Sequence, residues 1–128
     1  MDRKEKKQLL FKDLSARLPY GVKCFVYGEN KNPHILSGIK DEDTAYFQEL
    51  ALKECDGYVE IEFVMPLLRP MSSMTEEEWK EYDWFIKQER DELIQFRNKI
   101  KFYNKHHIDY NDLIPNGLAI EAPQKMYN

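Results

Sequence analysis

The sequence predicts an α+β fold: an N-terminal helix, a small curved antiparallel β-meander or open barrel of about four strands, a long amphipathic helix packing on it, and a short C-terminal helical turn. Three observations carry this expectation. Leucine recurs at helical spacing between Arg3 and Leu18. Between Val22 and Val64, short runs of strand formers alternate with Gly, Asn, Asp and Pro clusters. From Thr75 to His107 a helix start, a helix end and a shared apolar face follow one another.

The helix at about Thr75 to His107 organises the rest. Thr75 suits an N-cap, and Glu78 three residues on completes a capping box. Glu76, Glu77, Glu78 and Glu81 load the first turns, where the helix dipole is positive; Arg97, Lys99, Lys101 and Lys105 load the far end. Trp79, Tyr82, Ile86, Leu93, Phe96, Ile100 and Tyr103 share one face. Glu89 and Arg90 interrupt it, which predicts a shallow bend or a solvent gap.

The chain has 128 residues, a length that fits a single domain over 1–128, with an ordered core over about 3–120 and a tail at 121–128. Hydrophobic residues at 42% argue against disorder. A net charge of −4 disfavours bulk attraction to nucleic acid or anionic membrane, leaving only a local basic patch for such contacts. Cys24 and Cys55 do not make a disulfide framework, and two reduced thiols in a cytoplasmic protein are expected. The opening residues are charged, and Leu9-Leu10-Phe11 is too brief for a signal peptide or membrane span.

Taken in order, Leu10, Leu14 and Leu18 form the stripe of the first helix, with Phe11 beside it and Lys4, Lys7, Lys12 and Arg17 largely away from it. Pro19 should stop the helix. Val22 to Tyr27 predicts a strand, Gly28 to Pro33 a turn, and His34 to Ile39 the return strand. Thr44 to Leu50 predicts a third strand, although Phe47 to Lys53 suits a helix equally. After the Asp56-Gly57 turn, Tyr58 to Val64 alternates Val59, Ile61 and Phe63 against Glu60 and Glu62, the clearest strand pattern. Pro66 and Pro70 forbid a regular helix or central strand in the apolar connector that follows. Asp109 to Leu113 predicts a helical turn, Leu118 to Ile120 a docking segment or short edge strand, and Glu121 to Asn128 a frayed tail.

Three blocks carry a resemblance. They are Leu14-Ser15-Ala16-Arg17-Leu18-Pro19-Tyr20-Gly21-Val22, Leu68-Arg69-Pro70-Met71-Ser72-Ser73-Met74-Thr75, and the C-terminal stretch from Asn104-Lys105-His106-His107 through Asp109-Tyr110 to Gly117-Leu118-Ala119-Ile120-Glu121-Ala122-Pro123. Together they resemble a family of small uncharacterised proteins of gut anaerobic bacteria, whose members often lie near phage or mobile elements. The resemblance spans nearly the whole chain. It implies a bacterial, cytoplasmic, prophage-linked protein, and it implies no activity, cofactor or catalytic residue.

Each candidate site has a plainer reading beside it. Arg69, held in a rigid apolar connector, suits bidentate capture of a carboxylate or phosphate, or a structural ion pair with Glu60 or Glu62. His106 and His107 offer metal-ligating nitrogens, but adjacent helical side chains point about 100° apart, and the plainer reading is a pair of C-terminal caps. Arg97, Lys99 and Lys101 interleave with Phe96, Phe102 and Tyr103, a pattern that can bind a nucleic-acid strand; a core stripe flanked by solvated charge explains it more simply. Trp84 and Phe85 lie off the main stripe and call for a second core layer or a partner. Nothing around either cysteine resembles an activated nucleophile, Ser72-Ser73 precedes a helix start, and no glycine-rich phosphate loop is present.

The functional expectation is therefore a non-catalytic protein-interaction module whose partner is another protein or a second copy, with no cofactor, no metal and no membrane. The alternative is a nucleic-acid-binding accessory protein using the basic end of the long helix. An enzyme would need a pocket joining Arg69, the carboxylates and a histidine.

Overall fold

The structure is a computed structural model that describes residues 1–26, 29–51 and 56–127. The strand end at Tyr27, the turn glycine Gly28, the continuation past Ala51 and the thiol of Cys55 lie outside the described residues, as does Asn128. The α+β class holds, and the arrangement of its elements differs from expectation in several places.

Helix α1 (Arg3–Arg17) opens on Asp2, whose carboxylate accepts the Glu5 N–H at 2.8 Å. Leu10 and Leu14 face the core as expected. Arg17 does not face solvent. It is fully buried with Asp13, one turn before it, and the two are joined by a 2.6 Å ion pair. Asn111 donates to the same carboxylate at 2.9 Å, and Arg17 Nη2 reaches the Ile108 carbonyl at 2.7 Å. A helix and a remote segment thus satisfy the charges that burial would otherwise penalise.

The chain then turns at Gly21 (φ +69°) into two sheets rather than one meander. The first has the order β2-β1-β6-β7, built from β1 (Lys23–Val26), β2 (Glu29–Ile35), β6 (Val64–Leu68) and β7 (Ile120–Glu121). Strand β1 is antiparallel to both neighbours, and β7 joins β6 in parallel. The second has the order β3-β4-β5, from β3 (Gly38–Asp41), β4 (Thr44–Tyr46) and β5 (Tyr58–Glu60). Helix α2 (Gln48–Ala51) follows β4, so the ambiguous stretch divides into strand and then helix.

The expected meander fails at Ile61. Its N–H bonds the Asp43 carbonyl at 2.9 Å, and Ile61–Phe63 winds into a 3-10 turn. That turn hands the chain from the second sheet to the first. It also removes Glu62 from the strand and pairs it with Arg3 at 2.6 Å.

The connector also departs from expectation, because Pro66 sits inside β6, an interior strand. Pro66 pairs with Cys24 on one side, while β7 meets only Leu67 and Leu68 on the other. The proline occupies a position with a strand neighbour on one side alone, where a missing N–H is tolerated.

One core cluster gathers Leu10, Leu14, Val22, Cys24, Phe47, Ile61, Val64 and Leu68 with Leu113 and Ala119. A second gathers Met74, Phe102, Tyr103 and Ile108, with Tyr82, Phe85 and Tyr110 against it. The expected helical turn at Asp109 to Leu113 is a set of hydrogen-bonded turns over 113–117, organised by Asp109, whose carboxylate accepts from the Leu113 and Ile114 N–H groups at 2.9 Å. The tail is docked rather than frayed. Ala122 N–H donates to Leu68 at 2.7 Å, and the Tyr127 hydroxyl donates to the Leu67 carbonyl at 2.7 Å while accepting from Lys23 N–H at 2.9 Å.

Candidate functional site

The long helix is two helices. Helix α3 (Glu76–Lys87) and helix α4 (Glu92–Lys105) form an antiparallel hairpin. Neither Gly nor Pro breaks it. The Glu89 carboxylate accepts from the N–H of Arg90 at 3.0 Å and of Asp91 at 3.2 Å, and Asp91 caps α4 through Leu93 and Ile94. The interruption read at Glu89 and Arg90 is therefore a reversal. The physical reason is length: an unbroken helix over this stretch would run about 50 Å at ~1.5 Å per residue, far beyond the body. Folding back lets its own aromatics bury one another. Tyr82 stacks on Tyr103 at 5.8 Å between centroids and meets Phe102 edge-on at 5.4 Å, and such pairs contribute about 0.5–1.5 kcal/mol each.

The base of the hairpin is locked to the sheet. The Thr75 capping box is present as expected. Its Glu78 also receives the Arg69 guanidinium, so Arg69 pairs with Glu78 rather than with Glu60 or Glu62. His106 Nδ1 lies 3.2 Å from the same carboxylate. Arg69 N–H donates to the His107 carbonyl at 2.8 Å, and Asp109 N–H donates to the Arg69 carbonyl at 2.8 Å. Arg69 is thus a strut between β6 and the end of α4, with its charge already matched. A cleft of about 780 Å³ beside it is lined by Arg69, Ser73, Glu78, His106, Lys125 and Tyr127.

His107 is buried in the left-handed region (φ +60°), with its ring stacked on Tyr127 at 3.6 Å between centroids. Burial, reinforced by the neighbouring Arg17 charge, pulls its imidazole down to about 4. Its ring packs on Tyr127, and it is His106 that pairs with Glu78 and Glu81. Among the described residues no three His, Cys, Asp or Glu side chains gather as a metal site. The thiol of Cys24 is free and buried, and burial pushes it far above its usual range, which leaves it a poor nucleophile. Among the described residues no helix is long and apolar enough to cross a membrane.

The outer hairpin is the surface left open. Trp84, Arg97, Lys99 and Lys101 are all exposed on the hairpin, and none of them lines the cleft beside Arg69. Phe96 is 64% exposed and Leu93 82%, so neither belongs to the buried stripe that their spacing suggested. Trp79, Tyr82 and Ile86 share a face of α3, as Phe96, Ile100 and Tyr103 share a face of α4, by their three- and four-residue spacing. The Tyr82–Tyr103 stack joins the two faces into one strip. The body, through Tyr110 on Tyr103, covers its base and leaves Trp79, Ile86, Leu93 and Phe96 at least partly in solvent. Trp84, 65% exposed, lies on another side of α3. Sequence periodicity identified these residues as apolar and on one face; it could not show that the hairpin would carry them beyond the body.

No family model matches the chain, and neither a curated protein nor a solved structure gives a match.

Proposed function

We propose that this protein is a protein-docking module whose contact element is the open strip of the α3–α4 hairpin. The observation that supports this reading is the exposure of Leu93 and Phe96 on the face that also presents Trp79 and Ile86. Scattered surface apolar residues are ordinary, but a continuous strip on a projecting element marks an association surface. Helical hairpins present such strips in ridges that another helical surface can fill. The titratable groups near the hairpin base favour this reading over catalysis: Arg69 is matched by Glu78, and His107 is packed against Tyr127. A cytoplasmic setting suits the free thiol of Cys24.

The test compares tagged wild type with Leu93→Glu/Phe96→Glu, each used to capture proteins with and without nuclease. The expected result is a set of proteins held by the wild type in both halves and lost by the variant. Capture that is the same for both chains overturns the reading. Capture lost with nuclease transfers the strip's basic edge to a nucleic-acid strand instead, and that binding should weaken steeply with salt.

A further inference from the structure

We infer that the occupant of the strip is a second copy of this chain, the two hairpins closing face to face into a symmetric four-helix bundle. This inference rests on the docking reading above and gives it a partner.

Charge complementarity selects the second copy. Helix α3 carries Glu76, Glu77, Glu78, Glu81 and Asp83 against Lys80 and Lys87. Helix α4 carries Arg97, Lys99, Lys101 and Lys105 against Glu92. One helix of the hairpin is strongly acidic and the other strongly basic. A hairpin with one acidic and one basic helix is complementary to a second copy of itself when each helix lies on the other's opposite, as an isologous two-fold contact allows.

The charges also choose the axis. A two-fold axis across the helices would lay α3 on α3 and α4 on α4, with like charges opposed. A two-fold axis parallel to the helices lays α3 of one copy on α4 of the other. Every neighbouring pair is then antiparallel and of opposite sign, the arrangement of an up-down bundle.

Specific side chains fit that arrangement. Asp83 lies four residues after Trp79 and three before Ile86, so it rims the strip on α3. Lys99 lies three after Phe96 and four before Tyr103, so it rims the strip on α4. The ion pairs within the hairpin, among the described residues, join Lys80 to Glu76, Lys105 to Glu81, and His106 to Glu78 and Glu81. Neither Asp83 nor Lys99 takes part in them. With Tyr82 level with Phe102 and Tyr103, Asp83 of one copy stands within two or three residues in height, ~4 Å, of Lys99 of the other. Both are exposed, so this pair directs orientation, while Leu93, Phe96, Ile86 and Trp79 supply most of the driving force.

The test is sedimentation equilibrium of the purified full chain from low to high micromolar concentration. A reversible dimer of the 15.4 kDa chain is expected. Leu93→Glu/Phe96→Glu should remain monomeric throughout, with circular dichroism and melting unchanged because both positions are exposed. Asp83→Lys should weaken dimerisation about tenfold, since the symmetry applies it twice, and Asp83→Lys/Lys99→Asp should restore it to within about threefold. Trp84→Phe leaves Trp79 as the single indole, and its emission should shift to the blue as the dimer forms. A chain monomeric at every concentration overturns the second copy as occupant and leaves the docking reading, which stands or falls on the capture experiment. A dimer that survives Leu93→Glu/Phe96→Glu, or a charge swap that does not recover, also overturns it.

Discussion

Arg69 and Glu78 meet as a fork: Nη1 donates to Oε2 at 2.8 Å and Nη2 to Oε1 at 2.6 Å. The same carboxylate accepts the Thr75 N–H at 3.0 Å in the capping box. One acidic side chain therefore closes the start of α3 and fastens the whole hairpin to the end of β6. The Arg69 hydrogen bonds hold Glu78 down to about 2, with the Thr75 N–H pulling the same way and burial opposing.

Because the folded value lies below the unfolded one, Glu78 contributes stability that is fully present above about pH 4.5 and lost as pH falls towards 2. Glu78→Gln should remove this acid limb and lower stability at pH 7 by about 1–2 kcal/mol. Chemical denaturation of both chains between pH 7 and 2 measures it. Parallel curves for the two would show that the fork does not contribute.

His107 sets a second, higher window. An imidazole pulled down to about 4 favours the neutral ring in the fold, so the unfolded chain takes up the proton first. Stability should fall as pH drops from 6.5 towards 4. His107→Asn tolerates the left-handed backbone and does not titrate. Its stability should be flat from pH 6.5 down to about 4.5, where the Glu78 limb begins, and an unchanged slope would place the titration elsewhere.

The Asp13–Arg17 pair is predicted to be the costliest to break. Asp13→Ala leaves a buried guanidinium without its carboxylate and should cost about 3–5 kcal/mol. Asp13→Leu/Arg17→Met replaces both charges and should recover more than half of that loss. Equal damage from the single and double variants would assign the cost to packing instead.

Gly57 admits no side chain. Its φ is +85°, and a Cβ there would lie 2.9 Å from the Phe47 carbonyl oxygen, the Tyr46 ring and the Ala51 methyl. Gly57→Ala should therefore destabilise by at least about 2 kcal/mol. Gly117, at φ +73° with nothing within 4 Å, is the control and should lose less. A reversed order of the two melting temperatures would contradict this account.

Local signals were legible where they act locally. The Thr75–Glu78 box, the Leu10–Leu14 stripe, the β1 strand and the Asp56–Gly57 turn follow from adjacent residues. The hairpin reversal was not, because Gln88 to Asp91 contains no breaker and the fold-back is decided by Tyr82 finding Phe102 and Tyr103. Asp91 was the available signal, an N-cap residue placed just before Leu93 and Ile94. The burial of Arg17 was hidden in the same way, since its partners at Ile108 and Asn111 are remote in sequence. Pro66 misled because proline argues against an interior strand unless one side of its ladder is vacant, which only the register reveals. The Arg69 partner is not the strand glutamate that proximity in sequence suggests, Glu60 or Glu62, but the Glu78 of the capping box that the sequence displays.

The hairpin is fastened at one end only, and this divides the molecule into parts that open on different clocks. Around Tyr103, Ile108 and Met74, with Phe85 against them, its base shares the fate of the sheet, while the reversal from Lys87 to Leu93 is largely exposed. Amide protons in that outer segment should exchange through opening of the hairpin alone, with those of β1 and β6 waiting for global unfolding. A surface seated on the strip would slow the first set and leave the second unmoved.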